Sequence, residues 1–408
     1  MIKRLLPLLL FCQLSIAATA PAPREIVEHY SDIAHAVYED AAIAAEQLQH
    51  AVQHLLDQPS EATLAAARQA WRQARIPYQQ SEALRFANPV VDDWEGQLNS
   101  WPLDEGLIDY VADDYAASLG NIAAQMNIIA NPRIELGGAQ IDASQITPAL
   151  LRDLHELAGN AANVTSGYHA IEFLLWGQDL NGHKPGAGQR PYTDFVNGEG
   201  CSNGHCQRRG DYLRAATALL LSDLHYMVGQ WARGADNYRA ELLALPSERA
   251  LARMFYGMGS LSLGELGGER IKVALEANST EDEHDCFSDN THWSHYYNGL
   301  GIRNIYLGEY QRLDGSTLRG PSLSQAVAAH QPQVDSQLRA ALAQTMTTLT
   351  ALTDIAERAE QPQKFDMLIA PGHPQGRQLL GDILQSLTAQ TRAIEAAAAS
   401  LNINPNAS

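Results

Sequence analysis

Positive charge is scarce in this chain: 28 Lys and Arg stand against 47 Asp and Glu over 408 residues, a formal net charge of -19. A surface that acidic argues against nucleic acid and anionic lipid as partners, because both are bound through clustered cations. Beyond residue 20 no apolar run approaches the roughly 20 residues that a membrane-spanning helix needs, so the mature chain is expected to be soluble. Catalytic signatures are missing as well. There is no Gly-x-Ser-x-Gly elbow, no phosphate-binding loop and no dinucleotide fingerprint. His155-Glu156-Leu157-Ala158-Gly159 opens like the zinc-peptidase helix motif but has Gly159 where the second histidine belongs. His169-Ala170-Ile171-Glu172-Phe173 opens like the inverted motif and has Phe173 in the histidine's place. Neither run completes a zinc-hydrolase site.

Residues 1–20 have the three-part layout of a secretory signal peptide: Lys3 and Arg4, an apolar run from Leu5 to Leu14, then small residues through Ala20. Ser15-Ile16-Ala17 offers a small-x-small cleavage site, and the mature chain is expected to be exported. Cys12 lies inside the apolar run, which leaves three cysteines. Cys201 and Cys206 flank Ser-Asn-Gly-His in a polar loop, where an oxidising compartment favours a local disulfide; a metal site at Cys201, His205 and Cys206 is the alternative. Cys286 is then left over.

From Arg24 to Gln58, Ile26, Tyr30, Ile33, Val37, Ala41, Ala44, Leu48, Val52 and Leu55 recur at steps of three and four, which predicts one long amphipathic helix. The steps average about 3.6, so this helix packs in a globular bundle and does not supercoil. Ser60 is a candidate N-cap for a second, Ala-rich helix running to about Phe86. Helical spacing also covers 147–158, 163–176, 208–244, 247–275, 322–360 and 376–400, and no segment alternates convincingly as a strand would. The expected fold is all-α. Two helical-bundle domains, 24–180 and 208–400, flank a polar loop or flap at 181–207. Each block runs from a long helix to a second helix to a polar irregular segment, an order that duplication would produce.

Candidate chemistry concentrates in Gly167-Tyr168-His169-Ala170-Ile171-Glu172. On a helix, His169 and Glu172 stand three residues apart, so an imidazole and a carboxylate leave the same face, and the apolar Phe173 to Trp176 anchors the turn after them. Two donors do not complete a metal site, since zinc takes four ligands and iron more. The rest would come from Glu82 on the second helix, from Asp104 in the stretch 94–109, and from Glu281 to His292, a segment dense in carboxylate and imidazole that includes Asp289. The plainer alternative for His169 and Glu172 is a buried pair satisfied by its neighbours.

Four stretches in chain order, Asn99 to Tyr110, Ser166 to Gly182, Pro185 to Phe195 and Glu281 to His292, resemble the imelysin family of exported bacterial proteins; the likeness covers about residues 24–400. The resemblance implies two bundle-like domains with the His-x-x-Glu motif near their interface, a place in the periplasm or at the outer membrane, and a link to iron uptake. It carries the motif onto Gly167, His169 and Glu172, and the family's other shared segments onto Glu82, Asp104 and Asp289. The family is also classed with metallopeptidases, a label that the incomplete motifs of this chain do not support. The reading is a periplasmic metal-binding protein of iron homeostasis that holds iron, zinc or copper and serves an iron-uptake or outer-membrane component. A metallopeptidase, in which Glu172 polarises a metal-bound water, and a metal-free adaptor for an outer-membrane receptor are the alternatives.

Overall fold

The spacing that predicts the first helix also sets its burial. In the computed structural model, which describes residues 20–405 except 116, 118, 119 and 137, helix α1 (Pro23–Asp57) buries all nine of the residues from Ile26 to Leu55 named above. Burial of each Leu- or Ile-sized side chain contributes about 1.5–3 kcal/mol. Residues 1–19 of the expected signal peptide, Cys12 included, lie outside the described residues. Ser60 caps α2 (Glu61–Ser81), its hydroxyl accepting from the Thr63 amide at 3.2 Å. There follow α3 (Pro89–Asn99), the single turn α4 (Glu105–Ile108), α5 (Pro148–Leu154), α6 (Gly167–Trp176), α7 (Cys206–Trp231) and α8 (Tyr238–Ala244). Helix α9 (Ser247–Gly259) continues through wider π-helical turns at Ser260–Val273 into α10 (Ala274–Ala277). The chain ends through α11 (Thr291–Leu307), α12 (Leu323–His330), α13 (Pro332–Ala356), the turn α14 (Phe365–Leu368) and α15 (Pro374–Ser400).

Among the described residues the fold is all-α apart from two short antiparallel ribbons: β1 (Arg133–Leu136) with β2 (Ala139–Asp142), and β3 (Glu309–Gln311) with β4 (Thr317–Arg319). Strands this short leave too few positions for alternation to be read in the sequence. Two predicted helices are broken. The 208–244 run stops at Trp231, where Ala232 turns extended and Gly234 follows at φ +74°, and Asn237 restarts it by accepting from the Ala240 amide. The 322–360 run divides at Pro332, which lacks the amide proton that would continue α12.

Helix α1 lies along α2 and α7, while α13 lies along α15 and α11. Helix α2 touches both sets, packing on α1, α6 and α11, and its buried side chains include Trp71, Arg75, Gln79 and Tyr78. Every residue of α6 is buried, which explains why it has no polar face beyond His169 and Glu172. Its first residue, Gly167, takes φ +82°, and a Cβ there would lie 2.4 Å from the Leu98 carbonyl oxygen. That close approach sets the start of α6 against the end of α3. Cys201 and Cys206 are disulfide-bonded, and Cys286 is free and half-buried. Among the described residues no helix is long and apolar enough to cross a membrane.

Candidate metal centre

His169 and Glu172 leave one face of α6, as their spacing requires, and meet side chains from α2, the end of α3 and the segment 284–294. His169 Nδ1 lies 3.0 Å from Glu172 Oε2 and 4.0 Å from Asp285 Oδ1. Its Nε2 lies 3.2 Å from the Asn99 side-chain oxygen. Arg75, which can only donate, fixes that oxygen by bonding it at 2.7 Å. An amide oxygen can only accept, so the ring proton of His169 sits on Nε2 and Nδ1 presents a lone pair to Glu172. Two acceptors 3.0 Å apart need a positive species between them, either a proton on Glu172 or a metal ion.

The surrounding groups hold this arrangement in place. Glu172 Oε1 accepts from the Ser288 amide at 3.0 Å and from its hydroxyl at 2.7 Å. Asp285 accepts from Arg75 at 2.7 Å, from Asn290 at 3.0 Å and from the Ser294 hydroxyl. The ring of His284 lies 4.9 Å from that of His169, centroid to centroid, and edge-on to Trp101 at 4.3 Å. Donor atoms of His169, His284 and Asp285 all lie within 4.8 Å of one another, with Glu172 alongside. His284 Nδ1 is buried without a hydrogen-bond partner, an orphan of the kind that a bound ion would satisfy. A cavity of about 10 Å³, room for roughly one water, reaches both imidazoles between Trp101, Leu103, Glu281 and Phe287.

Burial is the largest force on each titrating group. It holds His169 down to about 3, with the positive charges of Arg75 and Arg270 adding to it. It holds His284 well below the ordinary histidine range, helped by Arg270 and His169. Both imidazoles are therefore neutral at pH 7, the form that ligates metal. Burial also pushes Glu172 up, with the charge of Asp285 adding to it. At Asp285 the upward push of burial is outweighed by Arg75, His169, Ser294 and Asn290, which hold it down to about 2. The centre thus offers one fixed carboxylate, one carboxyl group that takes either a proton or a cation, and two neutral nitrogen bases. That donor set suits iron, zinc or copper.

His295, on α11 beside the centre, has neither ring nitrogen partnered and lies edge-on to Phe365 at 5.1 Å. Burial holds it down from 6.5 to about 3, with Arg270 adding to the shift and Asp285 opposing it. As pH falls through that window the unfolded chain takes up a proton that the folded chain refuses, so His295 lowers stability there. The variant His295→Leu is expected to lose less stability between pH 6.5 and 3. Urea midpoints measured at stepped pH check this, and a pH profile parallel to wild type would contradict it.

The other sequence candidates lie in different surroundings. Glu82 accepts from Arg270 at 2.6 Å, in a buried network where Arg270 also bonds Glu265 and Asn298. Arg270 stacks over Trp101 at 5.5 Å, so Glu82 is linked to the centre through that arginine. Asp104 precedes α4 and accepts from Tyr115 and Asn121. Asp289 gathers with Asp179 and Asp366. His284 and Asp285, which join His169, come from the acidic segment 281–292, which its composition and the family resemblance both mark without singling out these two. Arg75 has no such mark, because a buried guanidinium looks like a solvated one in sequence, and Asn99 is marked only as the first residue of a stretch that resembles the family.

Residues 34–394 match the family model described as imelysin. The chain is 25% identical over 329 residues to iron-regulated protein A of Synechococcus elongatus, a likeness covering 78% of this chain and 73% of that protein. Its fold is similar to a crystal structure assigned to an iron-regulated protein A precursor from Parabacteroides distasonis, with a TM-score of 0.67 and 19% identity over 94% of this chain and 97% of that one.

Proposed function

The chain belongs to the imelysin family, and on that premise we propose that it is an exported metal-binding protein of iron homeostasis, its ion held by His169, Glu172, His284 and Asp285. One observation carries the reading: His169 Nδ1 turns a lone pair to Glu172 Oε2 at 3.0 Å, so the gap takes one proton or, in its place, one cation. The name of iron-regulated protein A describes regulation by iron, and it supports placing this relative in iron homeostasis. The signal-peptide layout of residues 1–20 supports a periplasmic location, with an iron-uptake or outer-membrane component as the partner.

The residues divide the work. Asn99 holds the His169 tautomer that exposes Nδ1. Ser288 fixes one oxygen of Glu172 and leaves the other directed at the ring. Glu172 gives up its proton when a cation enters, so binding is expected to release a proton and to tighten as pH rises. Arg75 keeps Asp285 ionised while its own positive charge opposes a cation, which moderates affinity and favours release.

Calorimetric titration of the chelator-stripped chain with Fe(II), Zn(II) and Cu(II) tests this. Saturable one-to-one binding tighter than millimolar is expected, weakened by at least about 100-fold in the double variant His169→Ala, Glu172→Ala. No binding, or binding indifferent to the double variant, would sink the reading.

A further inference from the structure

We propose a second cation site, separate from the one built on His169, in which Asp179, Asp289 and Asp366 hold a hard divalent cation of calcium's size. Asp179 follows α6, Asp289 sits just before α11 with φ +54°, and Asp366 lies in the turn α14, so segments distant in sequence converge. One carboxylate oxygen from each lies within 4.8 Å of the others. Calcium binds oxygen at 2.3–2.6 Å, so two ligands on opposite sides of it stand about 4.8 Å apart.

Proximity of acidic groups alone says little; the unmet hydrogen bonding points to an ion. Asp366 is 1% exposed, and neither of its carboxylate oxygens has a well-formed hydrogen bond: only the amides of its own turn, Asp366 and Met367, approach it. Asp289 is buried with Oδ1 unpartnered, and buried Glu283, whose charge acts on both, has Oε1 unpartnered. Asp179 turns one oxygen to the backbone and side-chain N–H groups of Asn181. Native interiors satisfy nearly all buried polar atoms, so a buried carboxyl group served only by the amides of its own turn, beside the unpartnered Asp289 Oδ1 and Glu283 Oε1, calls for a further partner. The positive groups acting on Asp289 are engaged elsewhere: Lys364 donates to Glu357 at 2.8 Å and Arg72 to the Ser288 carbonyl at 3.2 Å. Protonation does not resolve the shortage, because each new O–H would need an acceptor and each remaining oxygen a donor.

A divalent cation satisfies these oxygens together. No imidazole or thiolate belongs to the group, and all-oxygen coordination selects against the metals suited to His169. Magnesium demands about 2.0–2.1 Å and keeps several waters, so calcium fits a three-carboxylate site better. Occupied, the site ties α14 and the loop after α6 to the segment that presents His284 and Asp285. His183 already links two of these pieces, its Nδ1 bonding the Asp366 carbonyl oxygen at 2.8 Å.

The chelator-stripped full chain, titrated with calcium chloride by calorimetry and followed by thermal unfolding, tests the proposal. Uptake of a single calcium ion and a rise in Tm of roughly 4 °C at a hundredfold excess over Kd are expected. Both should vanish in Asp366→Asn and persist in His169→Ala, so failure of the His169 centre leaves this result untouched. Asp366→Asn should also raise the Tm of the calcium-free chain, since it removes a carboxyl group from a crowd of like charges. If that variant does not fold, Asp179→Asn, at the half-exposed member, must abolish the calcium response instead. The site is overturned by the absence of heat and Tm shift at millimolar calcium chloride, or by a response that survives the aspartate substitutions.

Discussion

Replacing Gly167 with alanine is expected to destabilise the fold by roughly 3 kcal/mol or more and to abolish the metal binding proposed for His169. Two causes add. At φ +82° an L-residue pays a conformational penalty that glycine avoids, on the order of 1–2 kcal/mol. The new Cβ would also meet three backbone atoms of Leu98, at 2.4, 2.6 and 2.8 Å, and backbone cannot turn aside as a side chain could. Relief requires α6 to move away from the end of α3, and the residue after Leu98 is Asn99, which orients His169 from 3.2 Å. Stability and metal affinity should therefore fall together. Urea unfolding and calorimetric titration of the same preparation check this; an alanine variant of wild-type stability would show that the two helices are not packed as described.

The second large effect is expected from Arg75→Met, a loss of about 3–5 kcal/mol at neutral pH. Methionine keeps much of the stem among Trp71, Tyr78 and Tyr168, so what is missing is the charge and the hydrogen bond to Asn99. Asp285 is fully buried and would remain with Asn290 and Ser294 but without its cationic partner. In wild type the carboxyl group of Asp285 is held at about 2, below 3.8, so its contribution is present above pH 3.8 and is lost as pH falls through about 2. Without Arg75 the ionised form is penalised, so the deficit of the variant should narrow as the solution is acidified. Adding Asp285→Asn should recover most of the loss, and a double-mutant cycle in urea reads the coupling directly. If Arg75→Met costs the same with asparagine at 285 as with aspartate, the ion pair is not what holds this part of the core.

Where a pattern is local, it could be read. The apolar residues of α1 follow the helical period, and His169 and Glu172 are neighbours on one turn by spacing alone. Ser60 announced its helix because a cap is a contact three residues long. The partners of the centre are not local. Asn99 lies 70 positions from His169 and Asp285 lies 210 from Arg75, and no periodicity links them. The segment 281–292 stood out by composition, yet its residues divide by which way each side chain faces: Asp285 toward Arg75, Asp289 toward Asp179 and Asp366. Glu82 directly follows α2, and the arginine that bonds it, Arg270, comes 188 positions later.

That separation has a temporal meaning. The chain is made from its N-terminus, and His169 and Glu172 emerge more than a hundred residues before Asp285 and Ser288. Contacts that close so long a loop form late, after the local helices have condensed. A chain still leaving the ribosome, or cut short before residue 284, carries the motif without its partners. On the proposed reading, competence to capture an ion therefore requires both halves of the chain, and a chain that ends before residue 284 has the motif without the groups that would complete the site.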